Sequence, residues 1–191
     1  MDAQFIDREE ENRLLQRFVN DLVSVVALPA MWSGSDPSRI AHALLDALQR
    51  VLPLDLIYIR LKGTEDEAPV EAVRLARSQN QTNSPLEIGK LLGAWLGADS
   101  QGWPQLMRNT LGDREISIAP FGLGLQGEIG VIVAGAERAD FPRQTERLLL
   151  SIAANQASIA LQEARLLDEQ KRIASELDQR VWKRSKELAA A

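Results

Sequence analysis

The sequence lacks cysteine altogether and has a single histidine, His42, among its 191 residues. Without cysteine the chain cannot hold a disulfide, a thiolate metal site, a cysteine nucleophile or a chromophore attached through a thioether. Zinc or haem would have to be bound by one imidazole and by carboxylates, a poor set of ligands for either metal. His42 lies between Ala41 and Ala43 on a predicted helix. We therefore expect a structural or surface histidine, no metal site and no identifiable cofactor.

A basic face and long apolar runs are missing as well. The chain has 27 acidic and 22 basic residues, whereas a dedicated nucleic-acid binder normally carries a basic stripe. No apolar run approaches the roughly 20 residues that span a bilayer, and the stretch from Leu22 to Met31 is interrupted at Pro29. The acidic N-terminus has no signal-peptide core. We expect a soluble cytoplasmic protein segment that contacts neither nucleic acid nor membrane.

Phosphate-binding loops are also absent. No Gly-x-x-x-x-Gly-Lys-Ser/Thr motif occurs, and the glycine-rich segment from Gly122 to Gly127 lies between two predicted strands. A phosphate-binding loop needs a helix N-terminus after it, so we interpret this segment as a turn.

The composition that remains is ordinary for a globular domain. Hydrophobic residues make up 45% of the chain and charged residues 26%, which allows a real core and argues against global disorder. The length suits one α/β domain with an extended appendage better than two domains.

Helical spacing dominates the first fifty residues. Apolar side chains from Leu14 onward form one stripe of a helix expected over residues 5–28, which Pro29 and the Trp-Ser-Gly-Ser turn at 32–35 close. A second helix begins with Asp36 as the capping residue and Pro37 in the first position, and it stops at Pro53.

Strand patterns follow this helix. Residues 54–61 and 70–77 predict an antiparallel hairpin around a polar turn at 63–69. Ser84 and Pro85 open another helix, and a loop rich in Gly, Asp and Ser carries Trp103. Two more strands are expected at 115–121 and 128–134, the second apolar on both faces and therefore central in the sheet.

The last segment predicts one very long helix. Asp140 can cap it with Pro142 in its first turn, and no proline or glycine occurs from Arg143 to the end. Such a helix would be roughly 70 Å long, beyond what one small domain can cover. A seven-residue repeat runs along it with polar residues between, which indicates a weak coiled coil; its members are Ile152, Ile159, Leu166 and Ile173.

The stretch from Gly127 to Gln162 resembles the closing part of GAF domains. It has a strand at 128–134, an Asp-Phe-Pro turn at 140–142 and an Ala/Gln-rich helix, in the order that recurs in that family. The continuation to Leu188 is similar to the linker helix that joins such domains to the next module in bacterial sensor histidine kinases.

The resemblance implies the fold and the domain plan. We expect an α+β, GAF-like (PAS-related) fold with a central antiparallel sheet of five to six strands, flanked by helices, and long N- and C-terminal helices. Residues 1–30 would form an N-terminal dimerisation helix, residues 31–162 the sensory domain, and residues 163–191 a coiled-coil linker to a PAS or kinase module of the same chain.

The resemblance also implies the role of a sensory input module rather than an enzyme. His42 lacks the His-Glu or His-Asp box of a kinase phosphoacceptor, and a GAF enzyme of the methionine sulfoxide reductase type needs cysteines. The cyclic-nucleotide signature of some GAF domains is absent. Two alternatives remain open: a ligand-free structural dimerisation module, and the input domain of a transcription regulator.

In GAF domains the ligand lies on one sheet face, under the helix and loops between the hairpin and the later strands. Aromatic walls with converging donors are typical of such a site. The candidate residues here are Tyr58, Arg60, Arg74, Trp95 and Trp103. Two arginines would favour an anionic group on an otherwise unknown small molecule.

The terminal helices indicate a parallel homodimer. Their apolar stripes exceed what one subunit of this size can bury, and a symmetric pair would cover both. The expected interface residues are Leu15, Phe18, Leu22, Ile152, Ile159, Leu166 and Ile173.

Overall fold

The protein is described here by a computed structural model covering residues 2–32, 34–63, 68–76, 84–96, 103–111 and 114–189. Most of the turn expected at 63–69, the last residue of the strand expected at 70–77 and most of the loop before Trp103 lie outside these residues.

A five-stranded antiparallel sheet forms the centre of the domain, with the order β2-β1-β5-β4-β3. The strands are β1 (Leu56–Leu61), β2 (Val70–Leu75), β3 (Met107–Leu111), β4 (Arg114–Leu123) and β5 (Gly130–Ala136). The predicted hairpin and the two later strands are confirmed. β5 is central, as its double-sided apolar pattern predicted, and every one of its residues is buried.

The short strand β3 was missed by the sequence analysis, which placed only a loop between α4 (Pro85–Leu96) and β4. Its sequence, Met-Arg-Asn-Thr-Leu, alternates only weakly and has a polar centre. As the edge strand it needs one buried face and one neighbour, so its pattern is weak. Sheet position, rather than local propensity, makes it a strand.

Helices before the sheet begin and end close to the expected residues. They are α1 (Asp2–Val26), α2 (Leu28–Trp32) and α3 (Pro37–Val51). The Asp36 carboxylate accepts a hydrogen bond from the Arg39 backbone N–H at 3.0 Å, so the predicted cap is confirmed. α1 ends at Val26, shortly before Pro29, and the helical region ends at Trp32, close to the expected closure; Pro29 itself lies in the first turn of α2, where a missing N–H costs nothing.

The α4 helix begins with a reciprocal cap. The Glu87 backbone N–H donates to Ser84 Oγ at 3.3 Å, and the Ser84 N–H donates to Glu87 Oε2 at 3.1 Å. This capping box satisfies two donors that the first turn leaves free, and it fixes the start of α4 over the sheet.

Helices cover both faces of the sheet, unequally. On one face, termed the α5 face, α3 and α5 (Gln144–Ala189) pack on the strands, where Ile57, Ile59, Ile132 and Ala134 are buried, and α1 and α2 pack against these two helices. On the other face, termed the α4 face, the smaller helix α4 packs on Leu56 and neighbouring side chains. The sheet is therefore the middle layer of three.

The long C-terminal helix is present, with a different start from the one expected. α5 has 46 residues, but Asp140 does not cap it. Asp140 pairs with Arg138 and Arg143, and Glu146 instead accepts from the Arg143 backbone N–H at 2.9 Å. Pro142 precedes the helix rather than lying in its first turn. Among the described residues no helix is long and apolar enough to cross a membrane.

Two glycines are required at the β4–β5 connection, as predicted. Gly127 has a φ of 68°, a conformation that side chains disfavour. Gly130 lies against the Arg60 carbonyl oxygen, so a Cβ there would clash with the backbone of β1. Both glycines allow β5 to enter the centre of the sheet between β1 and β4.

Candidate functional site

The α4 face is lined by apolar side chains around one phenol. Its buried members are Leu56, Tyr58, Ile88, Leu92, Ile116, Ile118, Val131 and Val133. Trp95, Trp103 and Met107 pack partly buried at the margin. Because strand side chains alternate, Tyr58 and Arg60 both project to this face.

Tyr58 lies at the centre of this face and is 1% exposed. Its hydroxyl makes no hydrogen bond of good geometry within the described residues, and the Glu71 carboxylate is the polar group that lies close enough to act on it. Burial, together with the nearby negative charge of Glu71, raises the pKa of Tyr58 well above its ordinary value. The phenol is therefore neutral and keeps both its donor and its acceptor capacity.

Glu71 lies opposite Arg60 on the neighbouring strand and supplies the only carboxylate close to Tyr58 among the described residues. Its Oε1 is 3.5 Å from Arg60 Nε, with the side chains 14% and 50% exposed. Its Oε2 is buried and has no partner within the described chain. The pair thus leaves one carboxylate oxygen free toward the α4 face.

Gly89 of α4 lies directly over the Tyr58 hydroxyl oxygen and Glu71 Oε2. A Cβ at Gly89 would be 2.6 Å from Tyr58 Oη and 2.7 Å from Glu71 Oε2. Any side chain would force either the helix or these groups to move. Glycine therefore lets α4 approach the sheet closely at the one place where polar groups are buried beneath it.

The structure brings four of the five predicted site residues to one face and leaves Arg74 out. Tyr58, Arg60, Trp95 and Trp103 lie on or beside the α4 face. Arg74 projects to the opposite face, where it contacts α3: its Nε is 2.7 Å from Asp46 Oδ1 and its Nη2 is 3.3 Å from His42 Nδ1. The expectation that Arg74 joins the site is wrong, because it is one residue out of phase with Glu71 and Val73.

A separate groove runs along the edge of β4 beyond the end of β3. It has a volume of about 470 Å³ and lies between Trp103, Phe121 and the first turns of α5. The Arg147 guanidinium donates to the Gln105 carbonyl at 3.1 Å across one end. The buried Trp103 Nε1 has no partner among the described residues. Trp103 therefore borders both the α4 face and this groove.

The start of α5 is held by an ionic cluster. Arg138 pairs with both Asp140 and the buried Glu146, and Arg143 Nε lies 2.6 Å from Asp140 Oδ2. The hydrogen bond from the Arg143 side chain, with a smaller contribution from Arg138, lowers the pKa of Asp140. This cluster ties the segment after β5 to the first turn of α5.

The apolar stripe of α1 is divided between the inside and the outside of the domain. Phe18 and Leu22 are partly buried against the protomer's own core, whereas Leu15 is exposed. Further exposed apolar residues of α1 are Val19, Val23 and Val26. The expectation that all three predicted interface residues of α1 are free for a partner is therefore too broad.

The stripe of α5 changes in the same way along the helix. Ile152 packs partly buried against the core, while Ile159 and Leu166 are 58% and 61% exposed. All described side chains from 166 to 186 are exposed, and they include Ile173, Leu177, Val181 and Trp182. The distal half of α5 leaves the domain with apolar side chains in solvent.

Two site residues escaped the sequence analysis. Glu71 and Gly89 stand in the predicted hairpin and helix, but neither type attracts notice there. Glu71 could have been found from its period-two relation to Val73 and from cross-strand pairing with Arg60. No sequence signal places Gly89 over Tyr58, since this depends on how α4 docks.

Metal binding has no support among the described residues, because no group of three or more His, Asp or Glu side chains is arranged to hold an ion. His42 is exposed, as expected of a surface residue, and its nearest charged neighbour is Arg74.

Comparison with known proteins supports one conclusion about the fold. No family model and no curated protein matches the sequence. Among solved structures, the chain matches the crystal structure of the GAF domain of a putative sensor histidine kinase from Pseudomonas syringae pv. tomato. The TM-score is 0.57 at 16% identity, and the match covers 85% of this chain and 98% of the other. This chain therefore has the fold of a GAF domain, as the residues from Gly127 onward indicated.

Proposed function

We propose that this chain is the sensory input module of a bacterial signal-transduction protein. It binds a small molecule and passes the signal through a dimeric C-terminal helix to a histidine kinase output in the cytoplasm. The observation that carries the proposal is α5, a 46-residue helix whose first part packs on the sheet and whose distal half is exposed. One continuous helix thus connects the sensory core to the proposed output domain.

Support for ligand binding comes from the polar atoms of the α4 face. Tyr58 Oη, Glu71 Oε2 and Trp103 Nε1 are buried without a partner in the described part of the chain. A buried polar group without a hydrogen bond costs about 1–3 kcal/mol, so native proteins rarely retain several without a functional reason. A bound molecule would satisfy these atoms.

Support for a dimer comes from the outward stripes of α1 and α5. Exposed Leu15 and Val19 on α1, with Ile159 and Leu166 on α5, form apolar surface on two helices that pack against each other. A two-fold axis parallel to α5 would place the same stripes of two copies in contact. The copies would run parallel, so that both helices deliver the signal in the same direction.

The signal would travel from the sheet to α5. Sheet and helix share a core in which Ala153, Ala154 and Ala157 lie flat against the strands. Such small residues permit a slight rotation or shift of the helix, and packed helices have discrete alternative arrangements. Ligand binding on the α4 face would alter the sheet and bias α5 toward one arrangement.

A native mass spectrum beside the denatured mass tests both parts of the proposal. The expected result is a dimer that carries extra non-covalent mass from a co-purified ligand. A monomer at micromolar concentration would contradict the dimeric helix, and this outcome is independent of whether a ligand is present.

A ligand-free dimerisation module is the second candidate, and one observation favours it. Apolar side chains fill the α4 face, and Gly89 lies directly over Tyr58 and Glu71. On this alternative the fold serves only to position the output helix, and the native dimer would carry no extra mass. An input domain of a transcription regulator would share the same module and would differ only in its output domain.

A further inference from the structure

The charge pairs around the α4 face indicate which kind of ligand this site can accept. The sequence pattern suggested an anion, because Arg60 and Arg74 were both expected near Tyr58. In the structure Arg74 faces α3 and pairs with Asp46, while Arg60 pairs with Glu71. Neither guanidinium is left as an unpaired positive charge at the site.

The polar groups that remain available at the site are a hydrogen-bond acceptor and a neutral hydroxyl rather than free positive charges. Glu71 Oε2 can only accept hydrogen bonds, and the neutral Tyr58 hydroxyl can donate or accept. The Glu71 side chain is mostly buried, whereas half of Arg60 is in solvent, where its charge is screened. The buried side of the pair is therefore net negative, and the donors that the described residues offer an anion there are neutral: the Tyr58 phenol and, at the margin, Trp103 Nε1.

We propose that the α4 face binds a small molecule with an apolar body and an N–H donor group, such as an amidine, amine or primary amide, and excludes anions. The donor group binds Glu71 Oε2 and Tyr58 Oη, and the body lies on Leu56, Val131 and Val133. This inference rests on the proposed sensory function and specifies its ligand class.

Gly89 determines how the ligand enters. Because Gly89 lies against both oxygens, α4 must move outward when the donor group takes its place. α4 contacts only β1 and β2 strongly among the described elements, so an outward shift of α4 acts directly on these two strands of the sheet. Ligand binding is thus coupled to the position of α4.

A single 19F label tests this inference, since Tyr58 is the only tyrosine in the chain. Protein with 3-fluorotyrosine gives one resonance, which is followed during titration with benzamidine, benzamide and benzoate. These probes share a ring and differ in charge and donor capacity. We expect saturable shifts with benzamidine and, more weakly, with benzamide, and none with benzoate.

Two variants and one control show where the probes bind. Glu71→Gln should weaken benzamidine binding by about tenfold or more, as loss of a charge-assisted hydrogen bond implies, and should change benzamide binding much less. Gly89→Ala should abolish both responses, while Gly93→Ala, whose Cβ meets nothing within 4 Å on the same helix, should retain them.

Benzoate binding in place of benzamidine would overturn the ligand class and leave the sensory function standing. No response to any probe would overturn the site itself. The dimeric output helix, which the mass spectrum tests separately, would be unaffected by either result.

Discussion

Gly89 and Gly93 lie one turn apart on α4 and meet different surroundings. A Cβ at Gly89 would press on the buried Tyr58 hydroxyl and on Glu71, whereas a Cβ at Gly93 would enter open space. Glycine costs about 1 kcal/mol of helix stability relative to alanine. At Gly89 the close contact with Tyr58 and Glu71 explains why a glycine is present. At Gly93 the structure shows no reason for one.

The two alanine substitutions are therefore expected to change the free energy of unfolding in opposite directions. Gly93→Ala should stabilise the protein by up to about 1 kcal/mol. Gly89→Ala should be less stable than Gly93→Ala by about 1–3 kcal/mol, because overpacking at the sheet outweighs the helix propensity. Urea unfolding followed by circular dichroism measures both, and equal stabilities would contradict the close approach of α4.

Tyr58 gives a prediction about alkaline pH. An ordinary tyrosine ionises near a pKa of 10.0, and burial raises the pKa of this one. Above pH 10 the unfolded chain loses the proton while the folded chain keeps it, so stability falls as pH rises. We expect phenolate absorbance at 295 nm to appear only together with loss of helical circular dichroism. Phenolate near pH 10 with the fold intact would show that Tyr58 is accessible.

At the scale of elements, the start of α5 depends on one buried carboxylate. Glu146 accepts from the Arg143 backbone N–H and pairs with Arg138 on the preceding segment. Glu146 thus performs the capping role that the sequence pattern assigned to Asp140. Its position also fixes where α5 begins relative to β5.

Glu146→Gln should lower the free energy of unfolding by about 1–3 kcal/mol, because the Arg138 guanidinium loses the more buried of its two charged partners and keeps only Asp140. The matched control is Glu163→Gln, an exposed glutamate of the same helix, which should change stability by less than about 0.5 kcal/mol. Equal effects in urea unfolding would contradict the structural role of the cluster.

Elements with local signals were predictable from the sequence, and elements defined by tertiary contacts were not. Asp36, Ser84 and the alternation of β1 determine their own local structure, so the cap of α3, the start of α4 and the face of Tyr58 followed from the residues alone. β3 is a strand because β4 lies beside it, and its own residues carry little pattern. Asp140 is a residue type that often caps helices, but its carboxylate pairs with Arg138 and Arg143 instead.

The candidate site shows the same division. Alternation along β1 placed Tyr58 and Arg60 on one face correctly. The phase of Arg74 depended on the cross-strand register, which the hairpin sequence did not determine. The pairing that changes the expected ligand charge, between Arg60 and Glu71, is a cross-strand contact of this kind.

For the whole molecule, the exposed stripes of α1 and α5 are the feature that a single copy leaves unexplained. Scattered exposed apolar residues are ordinary, but aligned ones on neighbouring helices indicate an interaction surface. α1 packs beside α5, and each of the two helices carries a row of exposed apolar side chains. A second copy of the same surface is the partner that the proposed function requires.

Charged substitutions on this surface should dissociate the dimer. Ile159→Asp or Leu166→Asp should weaken it by about 100-fold or more, since each burial is worth roughly 1.5–3 kcal/mol and occurs twice by symmetry. Leu125→Asp is the matched control, because Leu125 is fully exposed on the β4–β5 turn. Sedimentation equilibrium measures all three, and an unchanged dimer in the α5 variants would contradict the interface.

Disulfide cross-linking tests the parallel dimer most directly, because the chain has no cysteine of its own. Leu166→Cys and Ile173→Cys are made singly and oxidised under mild conditions, with Leu125→Cys as the control. A parallel pair of α5 helices predicts efficient covalent dimers from both helix variants and none from the control. Cross-linking no greater than the control, or at only one of the two positions, would contradict a signal passed along two parallel helices.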